Sequence, residues 1–599
     1  MPTAILTGQP VPGSPIESDL RSLGFDVRTA ADTGDAETLL ATVPGDERVA
    51  LVDARFVGHP HALRLGLTDP RFPLAAVPGA LTAQPAGRQA LTRAMARENS
   101  AAGGTTLVDS LADRVLIALD TDGAEVYRPE LGSLVAAVPA DAQARDEARR
   151  AVAAVDDEAV RLKSAVKARD GFFTTHCISP YSRYIARWCA RRGLTPNQVT
   201  TASLLTALIA AGCAATGTRA GFVAAGVLLI ASFVLDCTDG QLARYSLQYS
   251  TLGAWLDATF DRAKEYAYYA GLALGAAKGG DDVWALALGA MVLQTVRHVV
   301  DFSFNEANHD ATANTSPTAA LSDRLDSVGW TVWVRRMVVL PIGERWAMIA
   351  VLTALTTPRI TFYALLVGCA FAATYTTAGR VLRSLTRRAR RTDRAAQALA
   401  DLADSGPLAR PLARILPDVP RLPALLWAVA GTALVLLAAW FEGPGLALVL
   451  CAAGYVLLSA QAVVRPLKGA LDWLVPPLFR AAEYCTVLIL AAEAEVNGAL
   501  PAAFGLVAAV AYHHYDTVYR IRGDAGAPPS WLVRAAGGHE GRTLLVTVLA
   551  ALLTAEQFTV ALTVLAVAVA LLVLVESIRF WVASHLEGAP AVHDEGEPA

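Results

Sequence analysis

The chain has 599 residues, too many for one domain, and its 54% hydrophobic and 18% charged contents are high and low, respectively, for a soluble protein. The formal net charge of −4 says little about partners, because local charge matters more in a chain this apolar, and no nucleic-acid partner is expected. The seven cysteines lack metal-like spacing and read as reduced core residues, and the first 30 residues show no cleavable signal peptide.

Residues 1–140 read as an α/β domain, because short apolar runs (AILTG, VALVDA, AAVPG, RVLIALD) alternate with amphipathic stretches. Residues 141–179 are charged and helix-prone and read as a connecting helix. In the following SPYSRYIARWCARRG, Arg183, Arg187, Arg191 and Arg192 recur beside Tyr181, Tyr184, Ile185 and Trp188, which suits a helix lying on a cytoplasmic membrane surface.

Six apolar spans follow, near 199–217, 221–237, 255–277, 283–304, 345–357 and 360–379. Basic residues crowd before the first span, at Arg335 and Arg336, and after the sixth (Arg380, Arg383, Arg387, Arg388, Arg390, Arg391, Arg394). An even number of spans puts all three groups on one side, the cytoplasmic side by charge bias, with the last group as a lipid-facing anchor. After a polar linker at 384–421, six more spans are expected near 425–440, 446–464, 480–496, 501–518, 542–555 and 558–575, before an acidic tail.

The second set reads as a copy of the first. Arg262, Ala263, Glu265 and Tyr266 match Arg480, Ala481, Glu483 and Tyr484 at an offset of 218 residues, Arg345 aligns with Arg542, and His298 and Asp301 parallel His513 and Asp516. Asp257 and Asp261 align with Val475 and Phe479, so the copy is expected to hold no equivalent acidic cluster. Its own polar residues (His513, His514, Asp516, Arg520, Glu540, Arg542) read as a packing network or a dimer contact.

The chemistry concentrates in LDCTDGQLARYSLQYSTLGAWLDATFDRAKEY. Asp236 and Asp239 are three residues apart and Asp257 and Asp261 four apart, so each pair shares one helix face. A short polar connection lets two antiparallel helices bring all four carboxylates together, where divalent cations are needed to balance them; oxygen ligands favour Mg²⁺ or Mn²⁺, and two ions are expected, as can clamp a phosphoryl displacement. Gly240 and Gly253 permit close approach, and Arg244 suits phosphate.

These residues match the signature D-x2-D-G-x2-A-R-x8-G-x3-D-x3-D, and on that ground residues 180–383 resemble the CDP-alcohol phosphotransferase family. LTPNQVT is also similar to that family's entry to its first span. The resemblance implies a six-helix membrane fold with a cytoplasmic cavity, and displacement of CMP from a CDP-linked donor by an acceptor hydroxyl in phospholipid synthesis. It implies Asp236, Asp239, Asp257 and Asp261 as metal ligands and Asp261 also as general base. Asp239, Gly240, Ala243, Arg244 and Gly253 would form the CDP site, and homodimerisation is the family expectation.

CDP-diacylglycerol is the expected donor. A CDP-inositol-type soluble donor is the alternative, and a scaffold or transporter the rival of another class. Arg297, His298 and Arg345 are candidates for an acceptor's phosphate, Glu344 is a further polar candidate nearby, and Lys264 could reach a ligand or a lipid phosphate. The N-terminal domain resembles a nucleotidyltransferase in architecture, but its TGQPVPGSP loop has no basic residue before Arg21 and no lysine precedes Lys163. It is therefore expected to be inactive, with Asp53 and Asp120 the weak candidates for metal aspartates.

Overall fold

The computed structural model describes residues 2–9, 11–101, 110–167, 170–309, 333, 337–386, 390–418, 422–523 and 525–586. Arg335, Arg336, Arg387, Arg388 and the acidic tail lie outside the described residues.

The N-terminal sheet has strands β1 (Thr3–Thr7), β2 (Asp26–Ala30), β3 (Val49–Asp53), β5 (Leu74–Val77) and β6 (Ala80–Ala83), in the order β2-β1-β3-β6-β5. A separate pair joins β4 (Val57–Gly58) to β7 (Ala136–Ala137). β1, β2 and β3 are parallel, and β6 runs antiparallel to both β3 and β5. Every residue of β1 and β3 is buried, as parallel strands covered on both faces require. Alternate residues feed two cores: Ile5, Leu51 and Leu81 pack on one side, and Ala4, Leu6, Ala50 and Val52 on the other.

The flanking helices are α1 (Ile16–Ser22), α2 (Thr33–Thr42), α3 (Pro60–Leu67), α4 (Arg88–Ala101) and α5 (Leu111–Thr121). α5 corrects the strand-like reading of RVLIALD. Its buried positions Leu111, Ala112, Val115, Ala118 and Leu119 follow a helical period, which outweighs the run's β-branched content. The single connecting helix is also corrected. It is two helices, α6 (Ala142–Ala153) and α7 (Asp157–Ser164), because the Asp156 carboxylate accepts the Glu158 and Ala159 N–H groups and starts a new helix.

α8 (Ser179–Arg191) exposes Tyr181, Tyr184 and Trp188 and buries Ser182, Ala186 and Cys189, as an amphipathic surface helix should. Next come α9 (Pro196–Ala214), α10 (Arg219–Ser246), α11 (Thr251–Lys278), α12 (Trp284–Asn308), α13 (Ile342–Leu355) and α14 (Pro358–Thr386). LTPNQVT starts α9 with a capping box between Thr195 and Gln198 and proline at the first turn. Gly271 and Gly275, four apart on α11, face the Ala211 and Ala214 carbonyls; any side chain there would collide with α9.

After α15 (Asp393–Leu402) and α16 (Ala409–Ile415), six further helices follow: α17 (Ala424–Phe441), α18 (Leu446–Ala462), α19 (Val475–Glu493), α20 (Ala499–Arg522), α22 (Gly538–Leu552) and α23 (Ala555–Leu586), with the short α21 (Ser530–Ala535) between α20 and α22. Helices thus stand at all twelve expected spans. Six of the described helices are long and apolar enough to cross a membrane: α10, α12, α14, α17, α23 and the one ending at Glu493. α12 packs against α19 and α20, and the two halves share one apolar core, with Trp284 edge-on to Phe504 at 5.7 Å.

Candidate functional site

α10 ends at Leu247, whose left-handed backbone (φ 51°) turns the chain. The Ser250 hydroxyl then caps α11 by accepting the Gly253 N–H at 2.9 Å. This turn sets the last part of α10 beside the first turns of α11. One oxygen each from Asp236, Asp257 and Asp261 lies within 4.8 Å of the others. Asp239 is one turn further along α10, 4% exposed, with its Oδ2 buried and unpartnered.

All eight signature residues line one cavity of about 290 Å³. A Cβ at Gly253 would lie 2.7 Å from Asn197 Oδ1 and 2.8 Å from the capping Ser250 Oγ, so a side chain there would push both aside. A Cβ at Gly240 would meet the Arg244 guanidinium at 3.5 Å, which places the cation over a side-chain-free patch of α10. Arg244 Nε donates to the Ala165 carbonyl at 2.6 Å, tying its orientation to the segment after α7.

The sequence leaves Lys264 open to a ligand or a lipid phosphate. It is instead fully buried behind the cluster, where its ammonium pairs with Asp236 and, at 2.9 Å, with Asp261. It also donates to Ser203 at 3.2 Å. Four carboxylates with one such lysine are a hard-oxygen donor set with excess negative charge. The unpartnered Asp239 oxygen is a further free donor, so the residues present fit a divalent cation.

The three expected acceptor residues do not line this cavity. Arg345 is buried against Glu265 at 3.1 Å, and Arg262 reaches the same carboxylate at 2.9 Å. Arg297 is buried and donates to the Val339 carbonyl. His298 lies 2.6 Å from the Tyr515 hydroxyl of α20 and also contacts Gln294. Their spacing along the helices signalled polarity but not direction. Glu344, also named, accepts the Phe173 N–H at 3.2 Å.

Sequence reasoning missed other cavity residues: Asn197 and Thr200 of α9, Lys167 after α7, and Arg71 from the α/β domain. That domain and the connecting α7 also grip the turn between the signature halves. Arg64 donates to the Ser246 carbonyl and Arg161 to that of Tyr245, each at 2.9 Å, while the Tyr245 hydroxyl donates to Glu158 at 2.9 Å. No local pattern could reveal contacts spanning more than 80 residues.

Asp53 and Asp120 are each engaged by arginine: Asp53 with Arg55 at 2.9 Å, and Asp120 with Arg128 at 2.5 Å near the end of α5.

In the second half, Arg480 and Arg542 converge on Glu483, just as Arg262 and Arg345 converge on Glu265. Asp404 joins them, 2.9 Å from Arg480 and 2.8 Å from Arg542, and the two arginines hold its carboxyl well below the usual range. The Glu540 carboxylate accepts the N–H groups of Gly406, Leu408 and Ala409, so the linker is bound into this network. Phe479, which stands where Asp261 does in the first half, stacks on His539 at 4.1 Å, and Tyr455 donates or accepts at His539 Nδ1 at 2.6 Å.

Residues 193–374 match the model of the CDP-alcohol phosphatidyltransferase family, and residues 393–599 match a family of unknown function, DUF5941. The chain is 35% identical over 131 residues to a phosphatidylinositol phosphate synthase of Streptomyces avermitilis, covering 20% of this chain and 51% of the relative. It is 31% identical over 113 residues to an archaetidylinositol phosphate synthase of Pyrococcus horikoshii (19% and 58%). It is 32% identical over 114 residues to a bifunctional IPC transferase and DIPP synthase of Aquifex aeolicus (19% and 26%). The chain therefore spans 58% or less of each of these relatives.

Proposed function

We propose that the CDP-alcohol phosphatidyltransferase domain at residues 193–374 makes this chain a membrane enzyme that transfers a substituted phosphate from a CDP-linked donor, CDP-diacylglycerol, to an alcohol hydroxyl with release of CMP. The observation that carries this reading is that all eight signature residues line one cavity.

Asp236, Asp239, Asp257 and Asp261 would hold Mg²⁺ or Mn²⁺, and bound metal supplies charge neutralisation at the donor's diphosphate. Asp239, Gly240, Ala243, Arg244 and Gly253 bind the CDP part, with the bare glycines admitting it and Arg244 pairing with phosphate oxygen. Asp261 takes the proton of the acceptor hydroxyl. The freed oxygen attacks the phosphorus that stays with the lipid, and CMP leaves with the electron pair of the broken P–O bond. Lys264 keeps Asp261 and Asp236 oriented.

The second half is read as a degenerate copy. Its Arg480–Glu483–Arg542 group retains the scaffold of Arg262–Glu265–Arg345, while Phe479 and Val475 replace the acids. Its packing on α12 suggests that it occupies the place a second subunit would take, so a monomer replaces the homodimer otherwise expected. All twelve spans then cross the cell membrane, with the α/β domain and the cavity cytoplasmic. The α/β domain is read as performing no nucleotidyl transfer.

The test supplies purified protein with Mg²⁺, CDP-diacylglycerol and a panel of polyols and polyol phosphates, and measures CMP. Asp261→Asn should lower release by about 10³-fold, the scale of a lost general base; unchanged activity sinks the mechanism. A second reading, a CDP-inositol-type soluble donor, is favoured by the match to a bifunctional relative and by the α/β domain at the cavity. CMP release from that donor but not from CDP-diacylglycerol would select it. No release from either would favour a scaffold or transporter.

A further inference from the structure

Helix α11, which carries Asp257 and Asp261, has two faces with different partners. At about 100° per residue, Arg262 and Tyr266 fall within about 20° of Trp255, while Asp257, Asp261 and Lys264 fall on the opposite side. The acid-bearing face looks onto the cavity and α9. Lys264 donates to Ser203 there, and further along Gly271 and Gly275 meet the Ala211 and Ala214 carbonyls.

Behind the acids, the second half covers the opposite face with α20 and α23, helices that belong to the segment matching a family of unknown function. The buried Trp255 ring stacks on that of Trp581 from α23, with 6.0 Å between centres and 21° between planes. The Arg262 guanidinium lies 5.6 Å from the centre of the Tyr515 ring of α20. His298 Nδ1 joins the two, 2.6 Å from the Tyr515 hydroxyl and 3.5 Å from Arg262 Nη1. Beyond Arg262, Tyr266 turns to Thr295 of α12.

The Trp581 ring is itself fixed. Its Nε1 donates to Asp516 Oδ1 at 2.7 Å, Ser577 donates to the same oxygen at 2.6 Å, and Arg520 Nε pairs with Oδ2 at 2.8 Å. All four side chains are buried, where giving up such bonds is costly. Asp516 and Arg520, which the sequence leaves as a packing network or a dimer contact, thus have a specific object.

The two contacts bracket the acids. Trp255 precedes Asp257 by two residues and Arg262 directly follows Asp261. They are about 10 Å apart along the helix at 1.5 Å per residue. Contacts at that separation on one face fix both the rotation and the tilt of the segment between them. Carboxylates that share a metal need such support, because their oxygens move with the backbone that carries them.

We propose that residues 393–599 serve the first half as a positioning module, in which Trp581 and Tyr515 press on the back of α11 and hold Asp257 and Asp261 in the arrangement that binds divalent cations. This rests on the phosphotransfer reading above. Neither residue lines the cavity, so both act through α11.

The experiment uses the full chain in lipid nanodiscs and reads Mn²⁺ affinity by spin resonance, which needs no turnover. Trp581→Ala and Tyr515→Leu should each raise the Mn²⁺ dissociation constant about tenfold, the scale of losing a group that orients metal ligands. Trp581→Phe, which keeps an aromatic ring against Trp255, should recover part of the loss. Phe504→Leu cuts the contact between the halves at Trp284, away from the acids. It should lower the melting temperature and leave Mn²⁺ affinity within twofold. Wild-type affinity in Trp581→Ala and Tyr515→Leu overturns the proposal, as does an equal loss in Phe504→Leu, which would reduce the effect to general loosening. Should melting show that either large change unfolds the chain, Trp581→Phe and Tyr515→Phe carry the comparison. At least a twofold rise is then expected, and none in either overturns the proposal.

A second arm measures CMP release at saturating Mg²⁺ with the substrates named above. In Trp581→Ala and Tyr515→Leu, kcat should fall about tenfold with KM for each substrate within twofold, because the cavity wall is untouched. A raised KM with unchanged kcat overturns the proposal. If the Mn²⁺ pattern holds but the wild-type chain releases no CMP, the phosphotransfer reading fails alone. A wild-type chain that binds no Mn²⁺ overturns the metal reading and this proposal together.

Discussion

Lys264 occupies the most demanding position in the site. It is fully buried, has two carboxylate partners, and lies 5.4 Å from the Trp346 ring centre. Without it, Asp236 and Asp261 would face each other with no counter-charge, and breaking a buried pair in this way costs about 3–5 kcal/mol. Lys264→Met should therefore lower the melting temperature in EDTA, and Mg²⁺ should raise it by more than in the wild-type chain, because the ion takes over the lost neutralisation. A Mg²⁺ response no larger than that of the wild-type chain would refute a shared role for lysine and metal. Ala482 stands at the matching offset of 218 residues in the second half, where Phe479 replaces the acid. Acid and counter-charge are absent together, which a buried charge balance requires.

At the scale of elements, the signature turn is held by α3 and α7 as well as by its own Ser250 cap. His61 of α3 is 4% exposed, neither of its ring nitrogens has a partner, and it faces Arg161, Arg64 and His59. Burial, reinforced by those cations, pushes its pKa down from 6.5 to about 4. Between those values the released or unfolded state binds the proton and the packed state does not. Stability is therefore complete above about pH 6.5 and falls as the pH drops toward 4, by about 3 kcal/mol over the window. Hydrogen exchange at Tyr245–Ser250, corrected for its intrinsic pH dependence, should accelerate from pH 7 to pH 5 in the wild-type chain and less so in His61→Gln. A pH-independent exchange rate in the wild-type chain would exclude His61 as the cause.

At the scale of the molecule, the two helical halves are joined by one apolar core and by polar contacts such as His298 to Tyr515. The proposal that the second half substitutes for a partner subunit predicts a monomer in nanodiscs by mass measurement. It also predicts no more than two Mn²⁺ bound per chain by spin-resonance titration, with binding lost in Asp257→Asn. A stable dimer, or Mn²⁺ binding that survives that substitution, would refute one chain with one centre.

The sequence by itself determined the helices of the site and the cavity's acidic wall. Helical spacing places Asp236 with Asp239 and Asp257 with Asp261, and the apolar runs marked each of the twelve helices, because both signals are local. It misjudged RVLIALD, where β-branched content and helical period conflict over a few residues. It also joined α6 to α7, because the Asp156 cap is a single-residue signal. Only the tertiary structure decided which polar residues face the cavity. Arg297, His298 and Arg345 turn away into buried partners, while Arg71 and Lys167 reach the cavity wall from segments with no local sign of it. Charged side chains are directed by the partners that desolvate or neutralise them, and those partners lie far away in the chain.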